Sequence, residues 1–185
     1  MKKIVQRENK VLREHAKEIP IQEITTPKIK KVLKEMSLSL QSQDDGVAIA
    51  APQIGYNLRI FVVSGKIFHE DFGKSREEIL MNQNNTIKTT KTKEKIKDLI
   101  FINPKISKLS RDKEWVPEGC LSVRWLYGNT FRSKKATITA YDEKGKKFTR
   151  GASGLLAQIF QHETDHLNGV LFIDHAKDIR EELPR

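Results

Sequence analysis

Apolar residues at intervals of three and four predict a helix early in the chain. They stand at Ile29, Val32, Leu33, Met36 and Leu40. Pro27 suits the first helical position, and the polar residues 43–46 mark the end of the helix. A single helical turn is predicted before it, around residues 11–17.

Short apolar or alternating runs predict strands in the rest of the chain. They cover residues 59–63, 99–102, 105–109, 136–141 and 147–150. Asn103-Pro104 predicts a turn between the second and third strands, and Gly145 suits a hairpin turn between the last two. Antiparallel runs of strands with few helices favour the α+β class, with antiparallel or mixed sheets packed around a central helix.

That central helix is predicted at residues 153–168. Its apolar face is formed by Leu155, Leu156, Ile159 and Phe160. Ser153 suits its N-cap, and Gly169 suits the left-handed position that follows a helix end.

The same helix carries an H-E-x-x-H motif. His162 and His166 are four residues apart, so both rings project from one face on successive turns and can share a metal ion. Glu163 is then positioned to take a proton from water that the metal acidifies. A chance occurrence of the motif is the competing interpretation, which the surrounding apolar helix disfavours.

The third metal ligand must come from elsewhere in the chain. An extended H-E-x-x-H-x-x-G-x-x-H pattern would need histidine where Phe172 stands. Cys120 is the only cysteine, and it follows Glu118-Gly119, where glycine allows a close approach. A thiolate with two imidazoles suits Zn²⁺ or Fe²⁺ and leaves a fourth position open for catalysis. An inert, buried cysteine is the competing interpretation.

Composition limits the class of protein. The 185 residues suit a single domain with its own core. No apolar run reaches the length of a membrane span, and the N-terminus turns polar too soon for a secretory signal, so we expect a cytoplasmic protein with no membrane partner. The net charge of +10 favours anionic partners, although we expect no specific DNA binding.

Residues 64–98 are predicted to be a polar insertion. Five lysines crowd its second half, with no aromatic residue between them: Lys88, Lys91, Lys93, Lys95 and Lys97. A solvated loop is the favoured interpretation of this run. The alternative is a transient contact with the ribosome, motivated by the charge.

Three short motifs follow one another along the chain. They read G-V-A-I-A-A-P-Q at 46–53, E-G-C-L-S at 118–122 and Q-H-E-T-D-H-L at 161–167. In sequence and order they resemble the motifs of the peptide deformylases. With the intervening hairpin, the resemblance covers nearly the whole chain except residues 64–98, and it implies one deformylase-like catalytic domain over residues 1–185.

The resemblance implies a function and a ligand set. It implies a metal-dependent hydrolase that removes the N-formyl group from the N-terminal methionine of nascent proteins and releases formate. Cys120, His162 and His166 are then the metal ligands, commonly for one Fe²⁺ and exchangeably for Zn²⁺, Ni²⁺ or Co²⁺. Glu163 is the proton carrier, and the Gln53 side-chain amide and the Leu121 backbone N–H stabilise the oxyanion.

Other residues are expected to bind the substrate or order the site. The substrate-binding set is Gly46, Val47, Ala48, Val116, Glu118, Gly119, Leu155 and Ile159. Core packing would also explain its apolar members, and Glu118 is alternatively a carboxylate that orders a metal ligand. The chain departs from the family at Ala48, at Gln158 and at residues 124–127.

Two other functions compete with deformylation. One is an H-E-x-x-H endopeptidase, which would need neither Cys120 nor Gln53. The other is a non-catalytic, basic protein associated with the ribosome or RNA. As the source, a bacterial cytoplasm is the simplest interpretation, and an organelle or viral origin fits the sequence equally well.

Overall fold

The computed structural model describes residues 2–69, residue 72 and residues 96–183. Its α-helices are α1 (Pro27–Gln41) and α2 (Gly154–Leu167). Its strands are β1 (Ala48–Ala50), β2 (Ile60–Val63), β3 (Leu99–Leu109), β4 (Lys113–Gly119), β5 (Leu126–Ser133), β6 (Lys135–Tyr141), β7 (Lys147–Ser153) and β8 (Lys177–Glu181).

The strands form two antiparallel sheets. One sheet has five strands in the order β1-β2-β3-β6-β7, and the other has three in the order β4-β5-β8. Helix α2 packs against strands of the larger sheet and also contacts β5. The α+β class and the central position of the H-E-x-x-H helix are therefore confirmed.

A buried aromatic cluster joins α2 to the larger sheet. Phe61 of β2 and Phe101 of β3 stack with ring centroids 4.5 Å apart. Phe160 of α2 meets Phe101 edge-on at 5.2 Å. All three side chains are fully buried, so the helix is anchored immediately before its histidines begin.

The predicted turn at Asn103-Pro104 is wrong, because β3 runs through it. The pairing of β3 with β6 shifts register between Ile102 and Lys105, which marks a bulge. Asn103 takes a φ of 49°, and its side chain bonds both the N–H and the carbonyl of Ile19, at 2.8 and 2.7 Å. The amide thus satisfies a neighbouring segment while the strand continues.

The sequence patterns did not predict the smaller sheet. Strand β8 is exposed at every position, and β4 is exposed at most of its positions. Neither therefore shows the alternation that distinguishes a half-buried strand. The predicted turn at 11–17 is also corrected, to a 3₁₀ turn at Lys10–Arg13.

The predicted insertion is described only at its two ends. Residues Gly65–Phe68 form a 3₁₀ turn, and residues 96–98 lead into β3. Residues 70, 71 and 73–95, with four of the five clustered lysines, lie outside the described residues. Within the described ranges, no helix combines the length and the apolar composition needed to cross a bilayer.

Candidate active site

The two histidines and the cysteine meet although they come from different elements. His162 and His166 project from α2, and Cys120 follows directly after β4. One ligand atom of each lies within 4.8 Å of the others, and Cys120 Sγ is 3.1 Å from His166 Nε2. Phe172, which stands where the extended motif would need a third histidine, is buried, and its ring centroid lies 6.4 Å from that of His162.

This donor set fits a divalent metal ion. A thiolate and two imidazole nitrogens suit Zn²⁺ or Fe²⁺. Burial raises the pKa of the Cys120 thiol, but the neighbouring His166 and His162 rings outweigh burial and lower it to about 5. The thiolate that a metal requires is therefore favoured at neutral pH.

A buried ion-pair network holds His162 from behind. Glu118 Oε2 lies 3.0 Å from His162 Nδ1. Arg132 of β5 donates to both oxygens of Glu118, at 2.8 and 3.0 Å, and to Asp165 Oδ2 at 2.7 Å. Because a carboxylate can only accept, Nδ1 donates a proton to Glu118, which leaves Nε2 as the ring nitrogen of His162 that can bind a metal.

The same network sets the charge of Glu118. Burial raises the pKa of this carboxyl, but the hydrogen bonds from His162 and Arg132 hold it far below its ordinary value. Glu118 is therefore ionised, and its oxygens are committed to two cations.

Glu163 is buried, and its Oε2 has no hydrogen-bond partner among the described residues. Burial is the main cause that raises its pKa, to about 7. A carboxyl with that pKa can both accept and release a proton near neutral pH, which a general acid–base needs.

The Gln53 amide is oriented by its own turn. Its Oε1 accepts from the Ala50 N–H at 2.8 Å, so Nε2 must face the other way. That nitrogen lies 3.5 Å from Cys120 Sγ and 3.2 Å from Ser122 Oγ. An N–H donor of Gln53 therefore points at the cysteine.

Contacts from elsewhere in the chain hold the loop after Cys120. Gln6 donates to the Leu121 carbonyl at 3.1 Å. Arg124 pairs with both oxygens of Asp45, at 2.5 and 3.2 Å, and also donates to Gln43. The loop that carries Cys120 and Leu121 is thus tied to the N-terminal segment and to the segment that follows α1.

An open cavity of about 420 Å³ adjoins the cluster. The predicted site residues that line it are Gly46, Val47, Ala48, Gln53, Glu118, Gly119, Cys120, Leu121, Leu155, Ile159, His162 and Glu163. Val116 does not line this cavity, since neighbouring residues of β4 alternate in direction and Pro117 takes that place. His166 is buried behind its neighbours.

Several residues of the site were missed or given no role. Arg132 carries no local pattern, and its two partners lie 14 and 33 residues away. Ser122 lies within the second of the three motifs, but its contact with Gln53 spans 69 residues. Trp125 and Tyr127 also line the cavity, within the stretch 124–127 where the chain departs from the family pattern.

Comparison with known proteins gives a consistent result. A family model described as polypeptide deformylase matches residues 1–182. The chain is 37% identical over 177 residues to a peptide deformylase of Carboxydothermus hydrogenoformans, covering 96% of this chain and 94% of that protein. It is 37% identical over 170 residues to a peptide deformylase of Borreliella burgdorferi, covering 92% and 84%.

A solved structure agrees over most of the fold. It is the crystal structure of a peptide deformylase from Synechococcus elongatus in complex with actinonin. The TM-score is 0.72 at 30% sequence identity, over 95% of this chain and 78% of that one.

Proposed function

This chain belongs to the polypeptide deformylase family, and from that premise we propose the role of each residue in its active site. The protein is a metal-dependent hydrolase that removes the N-formyl group from the N-terminal methionine of newly synthesised proteins. The observation that carries the proposed roles is the convergence of Cys120, His162 and His166 beside a buried Glu163 oxygen that no described residue binds. Residues 1–185 are proposed to act as one catalytic domain.

Cys120, His162 and His166 are proposed to hold one divalent metal ion. When bound, such an ion acts as a Lewis acid that polarises a carbonyl oxygen and acidifies water. Fe²⁺ is our proposal for the ion, with Zn²⁺, Ni²⁺ and Co²⁺ as replacements, because a mixed sulfur and nitrogen donor set accepts all four. Glu118 and Arg132 orient His162 for this role.

Glu163 is proposed to carry the proton. It takes a proton from the attacking water and later delivers it to the amine that leaves as the formyl C–N bond breaks. The partnerless oxygen and the pKa of about 7 support both halves of this task.

Gln53 and Leu121 are proposed to stabilise the negative charge that develops on the formyl oxygen. The Gln53 amide is already aimed at Cys120 by the Ala50 N–H, so it needs no rearrangement during the reaction. The Leu121 N–H is the second donor, on a loop fixed through its carbonyl by Gln6.

The peptide is proposed to bind along the cavity. Its proposed contacts are Gly46, Val47, Ala48, Glu118, Gly119, Leu155 and Ile159. The backbone at Gly46 packs closely against two leucine side chains, since a Cβ there would lie 3.2 Å from Leu121 Cδ1 and 3.0 Å from Leu40 Cδ1. Val116 is withdrawn from this set because it does not line the cavity.

Formate release from formyl-Met-Ala-Ser, measured on protein purified without oxygen, tests these roles. We expect Glu163→Ala to lose roughly 10²- to 10⁴-fold in turnover while one metal ion per chain is retained. Glu143→Ala, in the exposed hairpin turn, is the control and should match the wild type. Full turnover by Glu163→Ala would contradict the proton role, and a metallated wild type without turnover would contradict the function.

Two further proposals rest on the activity and the sequence. Formylated nascent chains are made in the bacterial cytoplasm and in organelles, so we propose a cytoplasmic location in a bacterium. A transient ribosome contact through the lysines between residues 88 and 97 is proposed from their charge alone. Replacing them with glutamine should reduce co-sedimentation with ribosomes, and unchanged binding would contradict the contact.

A further inference from the structure

A polar side chain interrupts the apolar wall of the active-site cavity. Leu155, Gln158, Ile159 and His162 lie on one face of α2, because they are spaced three, four and seven residues apart. All four line the cavity, and so does Val47, which directly precedes β1. Gln158 is half-buried there, one turn before the first histidine of the metal cluster.

The Gln158 amide is fixed rather than free to turn into solvent. Its Nε2 donates to the Pro117 carbonyl at 2.8 Å, and Pro117 also lines the cavity. A primary amide has two N–H donors and one carbonyl acceptor. Within residues 2–69, 72 and 96–183, the second N–H and Oε1 have no partner, so one donor and one acceptor remain unused beside the cavity.

The first side chain of the substrate can reach this amide. Four residues of helix separate Gln158 from His162 by about 6 Å along the axis. The formyl carbon reacts at the cluster, and one nitrogen joins it to the first Cα. From that Cα, an extended methionine side chain spans roughly 5 Å. Its end therefore reaches the level of Gln158, in the cavity that Val47 and Ile159 also line.

We propose that Gln158 is a specificity-determining residue that lets the enzyme deformylate a first residue with a polar end, such as methionine sulfoxide. The proposal rests on the deformylase function and on entry of the first side chain into this cavity. In a purely apolar pocket, the sulfoxide oxygen would lose its hydrogen bonds to water without replacement. The unused N–H of Gln158 supplies a replacement, whereas a thioether sulfur accepts only weakly and gains much less from it.

Two formylated peptides and two variants test this proposal. Formate release gives kcat/KM for formyl-Met-Ala-Ser and for the same peptide with methionine sulfoxide. We expect the ratio of sulfoxide to methionine peptide to fall by about 3- to 10-fold in Gln158→Met, which keeps the side-chain length and removes the amide. Gln22→Met, on an exposed 3₁₀ turn, is the matched control and should leave the ratio unchanged.

The outcomes separate this inference from the proposed function. An equal ratio in the wild type and Gln158→Met would overturn the role of Gln158, whereas a wild type inactive on both peptides would overturn the function instead. If Gln158→Met does not fold, Gln158→Glu provides the same test, because a carboxylate offers no N–H and should lower the ratio as well. A ratio that is unchanged in Gln158→Glu would also overturn the inference.

Discussion

At the scale of single residues, the chemistry depends on how each side chain is partnered. Glu118 and Glu163 are both buried glutamates within a few residues of the proposed metal ligands, yet their environments differ. Glu118 is bound by His162 and Arg132, which keep it ionised. One oxygen of Glu163 has no hydrogen-bond partner in the described part of the chain, and burial raises the pKa of this carboxyl to about 7. One carboxyl is therefore suited to orient a ligand, and the other to move a proton.

The difference between the Glu118 and Glu163 carboxyls depends on Arg132. Replacing it with methionine removes the only guanidinium that the described residues supply to the buried Glu118 carboxylate. We expect Arg132→Met to lower the free energy of unfolding by about 3 to 5 kcal/mol, since the buried Glu118 carboxylate loses two charge-assisted hydrogen bonds and keeps only its contact with His162. Urea unfolding measures this loss.

The exposed Arg111→Met is the control for that substitution. It should change the free energy of unfolding by less than about 0.5 kcal/mol. We also expect Arg132→Met to weaken metal binding by about 10- to 100-fold, because His162 loses its fixed orientation. A variant as stable as the wild type would contradict the view that Arg132 compensates the Glu118 charge.

At the scale of elements, the end of α2 fixes where the histidines point. Gly169 follows the helix with a φ of 75°, and Asn168 closes the last turn through hydrogen bonds to Thr164 and Asp165. The glycine also packs against the N-terminal segment, since a Cβ there would lie 2.7 Å from the Arg13 carbonyl oxygen. Two separate requirements therefore select glycine at position 169: the positive φ and the close approach of the Arg13 backbone.

A pair of alanine substitutions separates those requirements. Gly145 has a φ of 77°, but a Cβ there would meet no atom of the described residues within 4 Å, so Gly145→Ala should cost only about 1 to 2 kcal/mol. Gly169→Ala meets the same φ penalty and a backbone clash, so we expect its loss of unfolding free energy to exceed that of Gly145→Ala by at least about 1 kcal/mol. Equal losses in urea unfolding would mean that the Arg13 segment moves aside freely.

At the scale of the whole molecule, the proposed metal joins parts of the chain that are distant in sequence. Cys120 follows a strand of the smaller sheet, whereas His162 and His166 lie on the helix packed against the larger sheet. A ligand that binds only the folded chain stabilises it by about 2.7 kcal/mol at 100 times its Kd. The ion should therefore stabilise the fold as well as support catalysis.

Removal of the metal tests this coupling. For a chain of this size, that free energy corresponds to a fall in Tm of about 5 to 10 °C when a chelator is added to the metallated protein. Cys120→Ser should show a much smaller fall, because a hydroxyl is a poor ligand for these ions. An equal fall in both proteins would contradict Cys120 as a ligand, and no fall in the wild type would contradict the coupling.

The sequence by itself determined the features that depend on neighbouring residues. The spacing of apolar residues predicted both α1 and α2, and most of the predicted helix ends lie within two residues of the observed ends. The β6–β7 hairpin was predicted from the alternation of its strands and from Gly145. The shared face of His162 and His166 follows from helix geometry alone. Even the resemblance to a family rested on three short motifs in order.

Only the tertiary structure decided what depends on contacts between distant residues. The contact of Gln53 with Cys120 spans 67 residues, and the bond from Gln6 to Leu121 spans 115. The exposed strands β4 and β8 are held by backbone pairing with β5, which leaves no periodic trace in their side chains. The reason is physical: local patterns report burial along one element, whereas strand pairing and the assembly of a site depend on where separate elements pack.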